Sequence, residues 1–266
     1  MDKTCRLTSK DPSAVVIIDR GELISYKKNG EELIHQKGDP GWSNSDTEMF
    51  PVVGPTEKFD YSIKTSRGPA VQDLHGLLRE LDYSMLSKNE DSVEYQKNYA
   101  KNTKVRNSKY PEKSTEEFVF WPFDFEFKKK YFLSNDALRI EFEMTGENGM
   151  PFMLGYHPAF KLSGNNTEHF TVSKNHIRLQ DVLEAGSAAY PLLNVEEILL
   201  HRTEGCDISL STKGFGNLML WTEVPGMVCI EPITAYPDIT SSEFREKLFR
   251  TCLGRHHFEV LISPID

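Results

Sequence analysis

With 266 residues, 38% of them hydrophobic and 27% charged, the chain can bury a sizeable core and has the composition of an ordinary globular protein. Its net charge of −9 lacks the basic face that general binding to nucleic acid or to an anionic membrane requires. Neutral ligands such as sugars are left open by that charge.

The opening residues Met1 to Cys5 hold no apolar run, so no secretory leader is expected, and no segment reaches the apolar length of a membrane span. Cys5, Cys206, Cys229 and Cys252 are too scattered for a CxxC or zinc spacing. Four reduced thiols in a cytoplasmic protein is the simplest expectation; two disulfides in a secreted one is the competing account. No internal repeat or Pro/Gly/Ser-rich linker divides the sequence, which predicts one domain over residues 1–266.

Short apolar or alternating runs separated by turn residues recur throughout, the pattern of an all-β chain. Ala14 to Ile18 reads as a buried strand. Leu23 to Tyr26 and Glu32 to Ile34 flank Asn29-Gly30, a hairpin signal because both residues tolerate positive φ. A short strand is expected at Tyr61 to Lys64. His75 follows beside Gly76, with Arg79 four residues on. Residues around Asn98 to Ser114 hold few apolar anchors and read as an exposed loop.

The richest aromatic run is Phe118 to Phe127, alternating strictly from Phe123 onward, and Leu138 to Met144 alternates again. One sheet with one wet face accounts for both. Asn148-Gly149 turns the chain into Met153-Leu154-Gly155-Tyr156-His157-Pro158-Ala159-Phe160. In a strand, Gly155, His157 and Ala159 share a face, so the imidazole has small neighbours and room for a ligand. Pro158 cannot donate to a ladder and predicts a bulge or an edge. A histidine so placed suits acid/base chemistry, although a hydrogen-bonded core histidine fits the same pattern. Further short strands follow, among them Ile177 to Leu179, Leu218 to Trp221 and Cys229-Ile230-Glu231-Pro232. Glu231 is a lone carboxylate in an apolar strand, either functional or turned to solvent or a cationic partner. Ser241 to Phe249 is the best helix candidate. Fifteen or more strands in one domain require two packed sheets or a barrel.

The ordered set of motifs resembles the aldose 1-epimerase (galactose mutarotase-like) superfamily, in particular its LacX-like and hexose-6-phosphate-mutarotase-like branch. The set runs through Gly21-Glu22-Leu23, Gly38-Asp39-Pro40 with Trp42, Phe50-Pro51-Val52-Val53-Gly54, His75-Gly76-Leu77-Leu78-Arg79 and Pro122-Phe123-Asp124-Phe125. It ends with Gly155-Tyr156-His157-Pro158-Ala159-Phe160 and Cys229-Ile230-Glu231-Pro232. The resemblance implies an all-β, two-sheet, mostly antiparallel β-sandwich (the galactose mutarotase-like supersandwich) with a concave cleft. It implies an isomerase that interconverts sugar anomers, with a small-molecule sugar as partner and without cofactor or metal. It assigns Glu231 as general base, His157 as general acid and His75 as a second histidine that helps bind the ring or hold its oxygen. Arg79, Asp238 and Tyr156 are the expected substrate contacts, Arg79 having an ion pair with Glu80 or Asp82 as its alternative. Two departures stand out. Pro55-Thr56-Glu57 replaces an arginine that follows the Phe-Pro-x-Val-Gly element in many relatives, and Ile233-Thr234 replaces an aromatic after Glu-Pro. They keep open a hexose-6-phosphate mutarotase and a non-catalytic carbohydrate-binding module.

Overall fold

A computed structural model describes residues 4–43, 45–237 and 246–265. Among them the chain forms strands almost throughout, with one α-helix of seven residues, Leu179–Ala185. That helix begins where a strand was expected to run on; the strand ends at Arg178, whose side chain and backbone N–H both engage Asp181 and start the helical turn. Most of the expected helix at Ser241 to Phe249 lies outside the described residues; Glu246–Leu248 forms a 3-10 turn.

The architecture is two packed antiparallel sheets. The larger has nine strands, among them Phe125–Leu133 and Leu138–Gly146, which pair residue for residue across a tight turn. Both strands alternate between buried and half-buried side chains, as their sequence pattern requires. Arg255–Ile265 adds to Leu138–Gly146 on one side, and Ser92–Tyr99 adds to Phe125–Leu133 on the other. The smaller sheet has the order Tyr190–Leu193, Asn217–Trp221, Met227–Ile233, Gly155–His157 and Thr47–Met49. A four-stranded sheet formed by Thr4–Thr8, Ala14–Asp19, Glu22–Lys28 and Glu31–Glu32 completes one end; Asn29 (φ 50°) and Gly30 (φ 86°) make its hairpin turn as expected.

The core lies between the two large sheets. Phe127, Tyr131, Ile140 and Phe142 from one side meet Tyr156, Leu218, Leu220, Val228 and Ile230 from the other in one buried cluster. Burying each such side chain contributes about 1.5–3 kcal/mol. One polar group interrupts it. Lys129 continues the inward alternation and is fully buried, with its Nζ 2.7 Å from Asp46 Oδ2 and 2.6 Å from Glu48 Oε1. Asp46 also accepts hydrogen bonds from Tyr131 (3.0 Å) and Tyr156 (2.6 Å). Lys97, buried as well, lies 3.9 Å from Glu48 and donates to the Leu78 carbonyl at 2.9 Å. This ionic cluster ties the edge strand Thr47–Met49 of the smaller sheet to Phe125–Leu133 and Ser92–Tyr99 of the larger.

None of the four cysteines forms a disulfide, and all are buried. Among the described residues no helix is long and apolar enough to cross a membrane.

Candidate active site

The smaller sheet has a second face, turned away from the core. Along Met227–Ile233, Val228 and Ile230 join the core, while Met227, Cys229, Glu231 and Ile233 point the other way. Every residue of this strand is buried, so its outward face is also covered.

Pro158 divides the neighbouring chain into Gly155–His157 and Ala159–Lys161, and both halves pair with Met227–Ile233. Gly155 lies opposite Ile233 and Ala159 opposite Cys229, so the same register sets His157 opposite Glu231. The proline therefore breaks the ladder without shifting it. The strand is not an edge, because Thr47–Met49 pairs along its other side. Directly opposed residues of an antiparallel pair meet on one face, and His157 Nε2 lies 3.4 Å from Glu231 Oε1. The Glu231 side chain is 1% exposed and that of His157 12%, so the imidazole is the part of the pair that solvent reaches. His157 Nδ1 and Glu231 Oε2 are buried and accept or donate no hydrogen bond within the protein.

Burial sets the protonation of this pair. It pushes the Glu231 carboxyl well above the ordinary carboxylate value. It pulls His157 down to about 3, helped by the positive charge of Arg79. An apolar surround favours two neutral groups over an ion pair. Burial thus favours the placement of the transferable proton on Glu231, beside a neutral imidazole.

His75 approaches from a separate turn. Its ring centroid is 5.6 Å from that of His157, edge to face. Burial and the neighbouring His157 hold it well below its ordinary value, so it too is neutral. The Gly54 N–H donates to its Nδ1 at 3.2 Å, which leaves the ring proton on Nε2. His75 (φ 67°) and Gly76 (φ 73°) are both left-handed. At Gly76 a Cβ would run into the Phe50 carbonyl, which explains the glycine; at His75 the strained backbone marks a conformation imposed by its surroundings.

Arg79 sits on the turn after His75, its Nε 3.8 Å from Glu80 Oε1, a loose pair that leaves the guanidinium capacity for another anion. The segment after Asn98, read from the sequence as an exposed loop, is docked here. Asn107 donates to Asp73 at 2.6 Å and Ser108 to Glu80 at 2.8 Å. This brings Lys109 beside Arg79; burial, then the Arg79 charge, lowers the Lys109 ammonium.

Two tryptophans flank His157. Trp42 and Trp221 have ring centroids 5.4 Å and 5.9 Å from His157 and 6.5 Å from each other. They supply an apolar face of the kind sugars stack on, which the missing aromatic after Glu-Pro left unaccounted for. Trp221 could have been found by register, since it pairs with Cys229 and so shares the face of Glu231. Trp42 and Lys109 sit on loops and carried no periodic signal.

Two expectations need correction. Tyr156 does not face the cleft: it is fully buried on the core side, its hydroxyl donating to Asp46, because the pleat turns it opposite to His157. Nor does Gly155 leave open space beside His157, since a Cβ there would strike Met49 and crowd Ile233 and Val53. Asp238 lies outside the described residues. His256 packs on Phe152 (4.9 Å between centroids) while His257 turns out towards Glu143, as adjacent strand residues must.

A family model described as aldose 1-epimerase matches residues 6–208. No curated protein matches the chain. Among solved structures, the fold is similar to a galactose mutarotase related enzyme from Lactobacillus acidophilus, with TM-score 0.79 and 17% identity over 98% of each chain. It is also similar to a galactose mutarotase-like protein from Lactobacillus casei, with TM-score 0.80 and 17% identity over 98% of this chain and 100% of that one. A galactose mutarotase-like protein from Clostridium acetobutylicum matches with TM-score 0.72 and 13% identity over 100% and 96%. At these identities the likeness establishes the galactose mutarotase-like β-sandwich fold.

Proposed function

The chain belongs to the aldose 1-epimerase family, and on that premise we propose that it interconverts the α and β anomers of a hexose or related sugar. The observation that carries the reading is the directly opposed His157–Glu231 pair, 3.4 Å apart in a buried cleft with His75 at its side. Ring opening moves one proton off O1 and one onto O5, so it needs a base and an acid within reach of the same C1–O5 unit.

In the opening step Glu231, as carboxylate, takes the O1 proton. The O1 electrons form the carbonyl, the C1–O5 bond breaks, and O5 takes the proton of the His157 imidazolium. Glu231 is left protonated and His157 neutral. Rotation about C1–C2 presents the other carbonyl face. For closure His157 removes the O5 proton, O5 attacks C1, and Glu231 returns a proton to O1. The pair carries one proton throughout and alternates between its two placements. The neutral placement, favoured by burial, is the one that closes the ring. The ionised placement opens it and depends on sugar hydroxyls to solvate the charges. His75, with its proton on Nε2, is a donor for the ring oxygen or an adjacent hydroxyl.

A pH prediction follows. The pair gains a second proton as pH falls towards His157's value of about 3, and loses its only proton as pH rises through the raised value of Glu231. After subtraction of spontaneous mutarotation, kcat/KM is expected to hold through pH 5 and fall only in more acid solution. An acid limb near 6.5, where an ordinary histidine titrates, would contradict the neutral placement.

A second reading, a hexose-6-phosphate mutarotase, is favoured by Arg79 and Lys109, two cations packed together at the His75 end of the cleft. Like charges held side by side at a cleft suit an anionic group between them. Lys109→Ala is then expected to raise KM for glucose 6-phosphate by about tenfold while leaving glucose unaffected. Anomerisation of fresh α-D-glucose, α-D-galactose and glucose 6-phosphate, followed by polarimetry or NMR exchange, tests both readings. Sugar binding without turnover of any of them would leave a carbohydrate-binding module.

A further inference from the structure

We propose that the cleft floor is also a binding site for a divalent transition-metal ion of zinc's class, held by His157, Glu231 and Cys229, and that this ion excludes the sugar. The binding stands on the geometry of the three side chains alone; the exclusion rests on the function proposed above.

A nitrogen, an oxygen and a sulfur of these residues all lie within 4.8 Å of one another on the outward face of two paired strands. The separation of His157 Nε2 and Glu231 Oε1, 3.4 Å, is long for a hydrogen bond. It is the spacing of two ligand atoms on a tetrahedral ion with bonds of about 2.0–2.1 Å, whose edge is about 3.3–3.4 Å. Glu231 Oε2 is buried and unpartnered, so the carboxylate has no competing contact to give up. Cys229 pairs with Ala159 and Trp221 across the sheet and sits among Trp42, Ala159 and Met227, an apolar surround that keeps its sulfur from water.

The donor set selects the ion. One thiolate, one imidazole and one carboxylate suit zinc, copper or cobalt, whereas magnesium and calcium want oxygen alone. Three protein ligands leave a fourth position towards the cleft, filled by water. Binding releases two protons, one from the Cys229 thiol and one from the Glu231 carboxyl, both held on by burial. The affinity therefore rises with pH. The ion takes the lone pairs that the Glu231 and His157 proton relay uses, so metal and sugar compete.

The test is titration of the purified chain with Co²⁺ as a spectroscopic stand-in. One equivalent is expected to produce intense visible d–d bands and a sulfur-to-cobalt charge-transfer band in the near ultraviolet, both displaced by Zn²⁺. The sulfur band separates this site from the histidine cluster in which the His169 ring lies 4.3 Å from that of His176 and 4.5 Å from that of His201, since that cluster holds no thiol. Cys229→Ser should abolish the sulfur band, keep basal anomerisation, and raise the zinc concentration for half inhibition by at least about tenfold. Glu231→Gln should weaken Co²⁺ binding by a similar factor, read by absorbance without any activity. A chain that shows no sulfur band, or a Cys229→Ser variant that retains it, overturns the site. Cobalt binding that sugar does not compete with overturns the exclusion. A sulfur band in a chain that turns over no sugar keeps the site and removes the epimerase reading.

Discussion

Glu231→Gln is expected to lower kcat/KM for anomer interconversion by at least about a hundredfold, with the fold intact and the thermal midpoint raised at neutral pH. The loss follows from the proton relay. An amide keeps the shape and can donate a hydrogen bond, but it neither takes the O1 proton nor returns it, and a proton-transfer group of this kind contributes about 10²–10⁴-fold. The gain in stability follows from burial. Glu231 is 1% exposed and its carboxyl is held well above its ordinary value, so folding at neutral pH either protonates it or buries a charge. That cost is absent below the unfolded carboxylate range and grows as pH rises above it. Glutamine removes the cost, so the midpoint difference between variant and parent should shrink from pH 8 to pH 4. A stabilised but inactive variant is the pattern of a residue kept for chemistry at the expense of stability. His157→Ala should cost a comparable factor in rate. Wild-type rates in either variant would end the proposed mechanism, and a destabilised Glu231→Gln would show that the carboxyl is structural.

The reach of the sequence differed between these features for physical reasons. The alternation in Phe125–Leu133 and Leu138–Gly146 made the large sheet and its wet face legible, because a strand with one buried face has to show period two. The same rule, carried past Phe127, places Lys129 and Tyr131 inward, and applied to Gly155–His157 it separates Tyr156 from His157. Lys129, Tyr131 and Tyr156 are all fully buried, so the rule also corrects the expectation that Tyr156 contacts the substrate. The motifs brought His75, His157 and Glu231 to notice, but not that His157 and Glu231 stand directly opposite, which is a matter of register between strands more than seventy residues apart. Register depends on the partner strand, and no local pattern in either strand encodes it. Trp42 came to notice within a motif but without a role, and Lys109, Asp46 and Glu48 were beyond reach, for another reason. They lie on loops or a short edge strand, where side-chain direction follows from tertiary docking.

The ionic cluster behind the site gives the largest expected change in stability. Lys129→Met removes the one cation that contacts both Asp46 Oδ2 and Glu48 Oε1, and leaves two carboxyls buried in the core. Breaking a buried pair by deleting one partner costs about 3–5 kcal/mol, which would appear as a lower urea midpoint at unchanged slope. The loss should depend on pH. In the intact protein burial already pushes Asp46 up to about 7, whereas at Glu48 the pull of Lys129 and Lys97 overcomes burial and holds the carboxyl below its ordinary value. Without Lys129 both carboxyls rise above their unfolded values, so the variant loses stability as pH climbs above about 4 and is least impaired in acid. The parent, with Glu48 depressed, keeps the stability that Glu48 contributes above the unfolded carboxylate range. The gap between the two should therefore be wider at pH 8 than at pH 5. Adding Asp46→Asn to Lys129→Met removes one uncompensated carboxylate and leaves Glu48 paired with the buried Lys97, and should recover much of the loss, since a buried ionic group can often be replaced by uncharged residues of similar volume. Activity separates packing from positioning in that double variant. Thr47–Met49 pairs with the strand that carries His157, and Tyr156 hydrogen-bonds Asp46 from the residue beside it. A double variant that regains stability but not kcat would show that the charges hold the His157 strand in place, whereas recovery of both would show that they only fill the core.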